Sequence, residues 1–191
     1  MTAREFPRIV ALNSRAVAPD GARIAYSAQV PGANGVYVSP VMGGRPVLLS
    51  YSNRFGVSWS PNGESIALVL VKPNGAPALA TLRVGANEPP FEVLNLPEVC
   101  TLAPEWSPSG EWIACGTANG PLLVSPDGRR KRMLTPLNSS MLAWSKDGRT
   151  LYGLSPRNGR LLLMAEDIAT AAVRQVADYG PGLEPFGDAS Q

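Results

Sequence analysis

The sequence predicts an all-β fold, and three observations carry that reading. Glycine and proline each occur 19 times in 191 residues, well above average usage, so the chain turns often. Apolar residues make up 45%, enough for a packed core rather than a disordered tail. A hairpin-like segment also returns four times along the chain.

The recurring segment first reads Val17-Ala18-Pro19-Asp20-Gly21-Ala22-Arg23-Ile24-Ala25. It returns as Trp59-Ser60-Pro61-Asn62-Gly63-Glu64-Ser65-Ile66-Ala67 and as Trp106-Ser107-Pro108-Ser109-Gly110-Glu111-Trp112-Ile113-Ala114. The fourth copy is Trp144-Ser145-Lys146-Asp147-Gly148-Arg149-Thr150-Leu151-Tyr152. The glycines at 21, 63, 110 and 148 stand 42, 47 and 38 residues apart, the period of four-stranded propeller blades. Proline sets φ for the first corner, Asp or Asn bonds back to its own backbone, and Gly takes positive φ. The aromatic residue ends one strand, and Ile-Ala opens the next.

Two more strands follow each hairpin. In the first repeat they are Gly35–Val38 and Pro46–Leu49 around the Gly43-Gly44 turn. The second offers Ala78–Val84 and Phe91–Leu94, and the third Pro121–Val124 and Arg132–Leu134. The fourth offers Arg160–Met164 and Val173–Val176. Ser125-Pro126-Asp127-Gly128 lies only 18 residues after Gly110 and lacks the flanking Trp and Ile-Ala. It is therefore the turn between third and fourth strands, as Ser39–Gly43 is, and not a fifth repeat. The expected organisation is one β-propeller over residues 4–176, with blades at about 13–50, 54–95, 101–135 and 140–176 and a loop-like tail at 177–191. Arg8–Ala11 matches one extra outer strand.

The Trp-Ser-Pro-Asp-Gly-x-x-Ile-Ala pattern resembles the TolB-type, WD-like propeller repeat over about residues 6–176. Val17 for Trp, Ser109 for Asp and Lys146 for Pro depart from it. The resemblance implies six or seven blades in a ring, where four are found. Three arrangements stay open: a piece of a longer propeller, a half-ring that pairs with a second copy, or a small closed ring. An array that does not close leaves two uncovered faces, because repeats bury their apolar surface against neighbours. It thus invites self-association through its open blades.

Composition excludes several kinds of chemistry. The chain has no histidine, so no Ser-His-Asp, Cys-His or His-ligated metal site can be built. A net charge of +2 is too small for a dedicated nucleic-acid surface. The longest apolar runs, such as Ile66–Val71, are strand length and not membrane spans. Met1–Pro7 shows no apolar core of a secretory signal. There is no nucleophile elbow, P-loop or dinucleotide fingerprint. No catalytic residue, cofactor or metal is expected. Cys100 and Cys115 read first as two separate small apolar side chains, and a disulfide between them stays open.

A few side chains stand out. Trp59, Trp106 and Trp144 share one repeat position and read as packing between blades. Trp112 falls where Arg23, Ser65 and Thr150 stand in the other copies. It points away from the Ile-Ala face, toward a neighbouring blade or a partner. Glu105 takes a slot held by Ala16, Ser58 and Ala143. There it is either a solvated or Arg-paired carboxylate, or a lining group of the central channel that takes a cation or a basic partner group. Arg129-Arg130-Lys131-Arg132 is a charge run at an outer hairpin. It reads as an edge that resists strand-to-strand aggregation, or as a contact surface. Asp20, Asn62, Ser109 and Asp147 read as turn formers.

By resemblance, TolB-type domains are protein-interaction modules of the bacterial envelope or sensor portions of larger proteins. The expected function is thus a non-enzymatic scaffold with a protein partner, in a periplasmic or extracytoplasmic setting. The alternative is the gating propeller of a prolyl-oligopeptidase-like serine peptidase whose catalytic domain lies outside this chain.

Overall fold

The computed structural model describes residues 11–29, 35–50, 55–72, 74–85, 91–94, 96, 99–100, 103–134, 137 and 142–181. Among the described residues, sixteen strands form four antiparallel sheets, each with its strands in chain order. Blade I holds β1 (Ala11–Val17), β2 (Arg23–Gln29), β3 (Gly35–Pro40) and β4 (Val47–Ser50). Blade II holds β5 (Phe55–Trp59), β6 (Ser65–Val71), β7 (Pro77–Arg83) and β8 (Phe91–Val93). Blade III holds β9 (Glu105–Trp106), β10 (Ile113–Thr117), β11 (Gly120–Val124) and β12 (Lys131–Met133). Blade IV holds β13 (Leu142–Trp144), β14 (Thr150–Arg157), β15 (Arg160–Asp167) and β16 (Val173–Pro181).

Each recurring segment folds as its chemistry dictates. Gly21, Gly63, Gly110 and Gly148 all take positive φ, between +68° and +78°. In the second segment the Ser60 hydroxyl donates to Asn62 Oδ1 at 2.7 Å and accepts from Ser65 N at 2.9 Å. The fourth repeats this: Ser145 donates to Asp147 at 2.6 Å and accepts from Thr150 N at 2.9 Å. The turn carboxylates of Asp20 and Asp147 are held below the ordinary range, chiefly by the Ala22 amide and the Ser145 hydroxyl respectively. Ser125–Gly128 builds the same turn between β11 and β12, and there the Ser125 hydroxyl lowers Asp127.

Strand alternation then decides what each blade buries. Ala25, Val36 and Val38 of blade I pack with Trp59, Ile66 and Leu68 of blade II. Ala67, Val69 and Leu79 of blade II meet Trp106, Ile113 and Cys115 of blade III. Ala114 and Leu123 of blade III meet Trp144, Leu151 and Met164 of blade IV. The core is therefore three layers between four sheets, with a smaller cluster of Ala28 and Tyr37 against Tyr26 and Leu48 on the other face of blade I. Each fully buried Leu or Ile contributes about 1.5–3 kcal/mol of transfer free energy.

Three local features differ from the sequence reading. Cys100 and Cys115 are joined as a disulfide, their Cα atoms 5.7 Å apart. The last strand continues past Val176 to Pro181, taking in five residues expected as loop, of which Ala177, Asp178 and Pro181 pair with β15; Gly180-Pro181 ends the strand there instead of preventing it. Of the expected extra strand at Arg8–Ala11, residues 8–10 lie outside the described residues, and Ala11 opens β1.

Candidate functional site

The innermost strands β1, β5, β9 and β13 place one register position of each blade side by side. Ala16 pairs with Ala25, Ser58 with Ala67, Glu105 with Ala114, and Ala143 with Tyr152. Glu105 is the one ionisable side chain in this set. It is partly buried, and its carboxyl is pushed up to about 7 by burial. Among the described residues, no ion pair or hydrogen bond holds that carboxylate.

The strand carrying Glu105 is fixed from both sides. Trp144 donates its indole N–H to the Glu105 carbonyl at 3.0 Å. Trp106 N donates to the Ser58 hydroxyl at 2.9 Å. Trp59 repeats the first contact one junction earlier, donating to the Ala16 carbonyl at 3.0 Å. The Trp106 indole instead closes its own turn on the Gly110 carbonyl at 3.4 Å. Arg23 lies 4.9 Å over the Trp59 ring and donates to the Gly63 carbonyl at 2.9 Å.

The candidate residues at 112 and 129–132 lie elsewhere, at the junction of blades III and IV. Trp112 packs with the cluster that holds Ala114 and Leu151, and Arg130 sits 4.7 Å over its ring. Arg132 reaches across to Glu166 at 3.1 Å and also donates to the Ile168 carbonyl. Arg129 stays near Asp127 at 3.8 Å, both exposed. Lys131 pairs with Val124 in the β12 ladder and is exposed. The run is thus divided: Arg132 reaches the neighbouring blade, Arg130 stacks over Trp112 of its own blade, and Arg129 and Lys131 stay exposed. Glu105 is not brought together with these residues by any direct contact.

Sequence reasoning missed Glu166. It is 2% exposed, burial pushes its carboxyl up against the opposing pull of Arg132, and its Oε2 has no partner among the described residues. The available signal was its place opposite Leu151 on a buried face. Arg132→Met keeps the apolar stem and strands the carboxylate. The expected loss is about 1–2 kcal/mol at pH 8, below the usual 3–5 for a broken buried pair because Arg132 is a third exposed. The loss should be smaller at pH 5 than at pH 8, because burial raises the Glu166 carboxyl and removing Arg132 takes away the pull that opposes it. Urea unfolding at both pH values checks this, and an equal loss at both would assign the effect to packing alone.

Among the described residues, no group of three or more Cys, Asp or Glu side chains could hold a metal ion. No helix there is long and apolar enough to cross a membrane.

No protein-family model matches the chain, and no curated protein sequence matches it. Solved structures do. A TolB-assigned protein from Agrobacterium tumefaciens superposes with a TM-score of 0.74 at 20% identity, covering 91% of this chain and 68% of that one. The fold is a TolB-like β-propeller. TolB from Acinetobacter baumannii gives a TM-score of 0.72 at 18% identity, over 88% of this chain and 44% of its own. A prolyl endopeptidase structure gives 0.60 at 16% identity, over 87% of this chain and 28% of its own. The propeller described here thus spans about two thirds of the first of these proteins and less than half of the second.

Proposed function

We propose that this propeller is a non-enzymatic binding scaffold for a protein partner. The observation that carries the reading is Glu105: a partly buried carboxylate without an ion pair or hydrogen bond among the described residues, raised to about 7, in a register otherwise held by Ala16, Ser58 and Ala143. A basic side chain from a partner would hold Glu105 ionised and recover the free energy its burial withholds. Arg129 and Lys131, exposed at the rim of blade III, are the second contact candidates, since function gathers on such loops. The TolB neighbours support an interaction role, and the absence of histidine removes the commonest general base. The Cys100–Cys115 bridge supports residence in an oxidising compartment such as the bacterial envelope.

A photo-crosslinking amino acid at position 103, exposed and beside Glu105, tests the reading in intact source cells. The expected result is one dominant protein adduct that Glu105→Lys abolishes and Glu105→Asp retains. Adducts indifferent to the charge at 105 would sink it. The prolyl endopeptidase likeness supports a second reading, the gating propeller of a serine peptidase. A hydrolase domain with a serine elbow encoded in frame with this chain would favour that one.

A further inference from the structure

Asparagine followed directly by glycine occurs five times, with the asparagines at 34, 62, 74, 119 and 158. Such a pair is chemically labile. With no side chain on the second residue, its backbone nitrogen can reach the asparagine carboxamide and close a five-membered ring. A fold suppresses the reaction by holding the carboxamide or the glycine N–H in hydrogen bonds.

Three of the pairs are held in this way. Asn62 Oδ1 accepts from the Ser60 hydroxyl at 2.7 Å and from Glu64 N at 3.1 Å, and Gly63 N donates to the Ser60 carbonyl at 2.9 Å. Asn74 Oδ1 accepts from Ala76 N at 3.1 Å, and Gly75 N donates to the Lys72 carbonyl at 2.8 Å. Asn119 N donates to the Thr117 hydroxyl at 3.2 Å, and Gly120 is buried and paired with Thr117 in the ladder. Asn34 lies outside the described residues.

Asn158-Gly159 is the exception. It makes the two-residue turn between β14 and β15, closed by Arg157 opposite Arg160. The φ angles are +52° at Asn158 and +72° at Gly159, as asparagine-glycine hairpin turns favour. Both residues are exposed, and a Cβ built on Gly159 would meet nothing within 4 Å. Among the described residues, nothing bonds to the Asn158 carboxamide or to the Gly159 amide. The last rung of this ladder is also weak. Like charges directly opposite on antiparallel strands repel, and Arg160 is drawn aside to Asp178, 2.9 Å away. Exposed ends of this kind open at least cost, and the turn must relax before the Gly159 nitrogen meets the carboxamide carbon.

We propose that Asn158 is a modification site of the folded protein, converting to isoaspartate and aspartate without an enzyme. The Gly159 backbone nitrogen gives its proton to solvent base and attacks Asn158 Cγ. The bond from Cγ to the side-chain nitrogen breaks, ammonia leaves, and a succinimide remains. Water then opens the ring. Attack at one carbonyl gives aspartate; attack at the other gives isoaspartate, whose backbone runs through the former side chain and is one carbon longer. Only water is consumed, and nothing is oxidised or reduced. Either product sets a carboxylate beside Arg157 and Arg160 and offsets their repulsion. The longer backbone of isoaspartate no longer fits a two-residue turn, so the hairpin tip loosens. The reaction needs one blade's own hairpin and does not depend on neighbouring blades or on what Glu105 binds.

The test ages the 191-residue chain at pH 8 and 37 °C, both folded and in 8 M urea with the disulfide intact. Peptide mass spectrometry follows each asparagine, and electron-transfer fragmentation separates isoaspartate from aspartate. In the folded protein Asn158 should convert about tenfold faster than Asn62, Asn74 or Asn119, the factor that one or two hydrogen bonds at those turns are worth. In urea the four rates should converge, because those bonds are gone. Asn158→Gly keeps a favoured turn pair and should abolish the first acidic species that ageing produces. Circular dichroism confirms that this variant folds, and the wild-type rates decide the matter if it does not. Equal rates at the four sites in the folded protein would overturn the proposal, because the turn would not be exposing the pair. An Asn158 lead that persists unchanged in urea would also overturn it, since sequence and not structure would then set the rate. Aspartate formed without isoaspartate would rule out the cyclic route.

Discussion

Removing the Cys100–Cys115 bridge should lower the thermal midpoint by roughly 6–12 °C. The two residues are 15 apart in sequence, and closing a loop of that length is worth about 3 kcal/mol through restriction of the unfolded chain. For a domain of this size each kcal/mol moves the midpoint by about 2–4 °C. Both cysteines are buried, at 1% and 0% exposure, among Ala67, Val69, Leu79 and Ile113. The bridge therefore holds the segment that enters blade III against the face shared with blade II. Cys100→Ala/Cys115→Ala keeps small apolar groups in that layer, so its loss reports the crosslink more than packing. Wild type refolded under reductant should match the double variant. A thiol titration in denaturant counts no free thiols before reduction and two after it. Two thiols without reductant, or midpoints that reductant leaves unchanged, would show that the bridge is not part of the working molecule.

The bridge also marks the limit of what the sequence discloses. Turns, strand order and blade faces were legible because they follow from neighbours in sequence. Ser60, Pro61, Asn62 and Gly63 carry their own geometry, and period-two alternation assigns Ala67 and Val69 to one face. Pairing of two cysteines depends on which distant strand Cys100 is brought against, which no local rule states. Arg132 is a similar case. Within a run of four cations it reads as an exposed tip, yet it pairs with Leu123 in the ladder, and that register aims it at Glu166, 34 residues away. Trp112 follows the same alternation and lands beneath Arg130. The position of Glu105 could be read by aligning the repeats. The burial that sets its acidity could not, because it depends on the approach of β13.

That burial makes the second large effect one of pH. In the unfolded chain Glu105 titrates near its ordinary 4.5, and in the folded protein near 7. Between those values the folded state holds the proton more tightly, so its stability falls as pH rises. The contribution is complete below about 4.5 and lost above about 7. One pKa unit corresponds to about 1.4 kcal/mol, which sets a ceiling near 3 kcal/mol; partial exposure of the carboxylate brings the expected loss between pH 5.5 and 8 to about 1.5 kcal/mol. Glu166, also raised by burial, adds a loss of the same sign. The carboxylates held low, among them Asp20, Asp127, Asp147, Asp167 and Asp178, shift stability only at more acid pH, below about 4. Glu105→Gln is neutral at every pH and nearly isosteric. It should unfold like wild type at pH 5.5 and resist urea better at pH 8. Parallel profiles for wild type and variant would show that Glu105 is already solvated or paired in the folded state. A variant less stable at both pH values would mean that the carboxyl makes a contact that Gln cannot reproduce. A partner bearing a basic group should act in the opposite sense to burial, lowering the titration of Glu105 and binding more tightly as pH rises through 7.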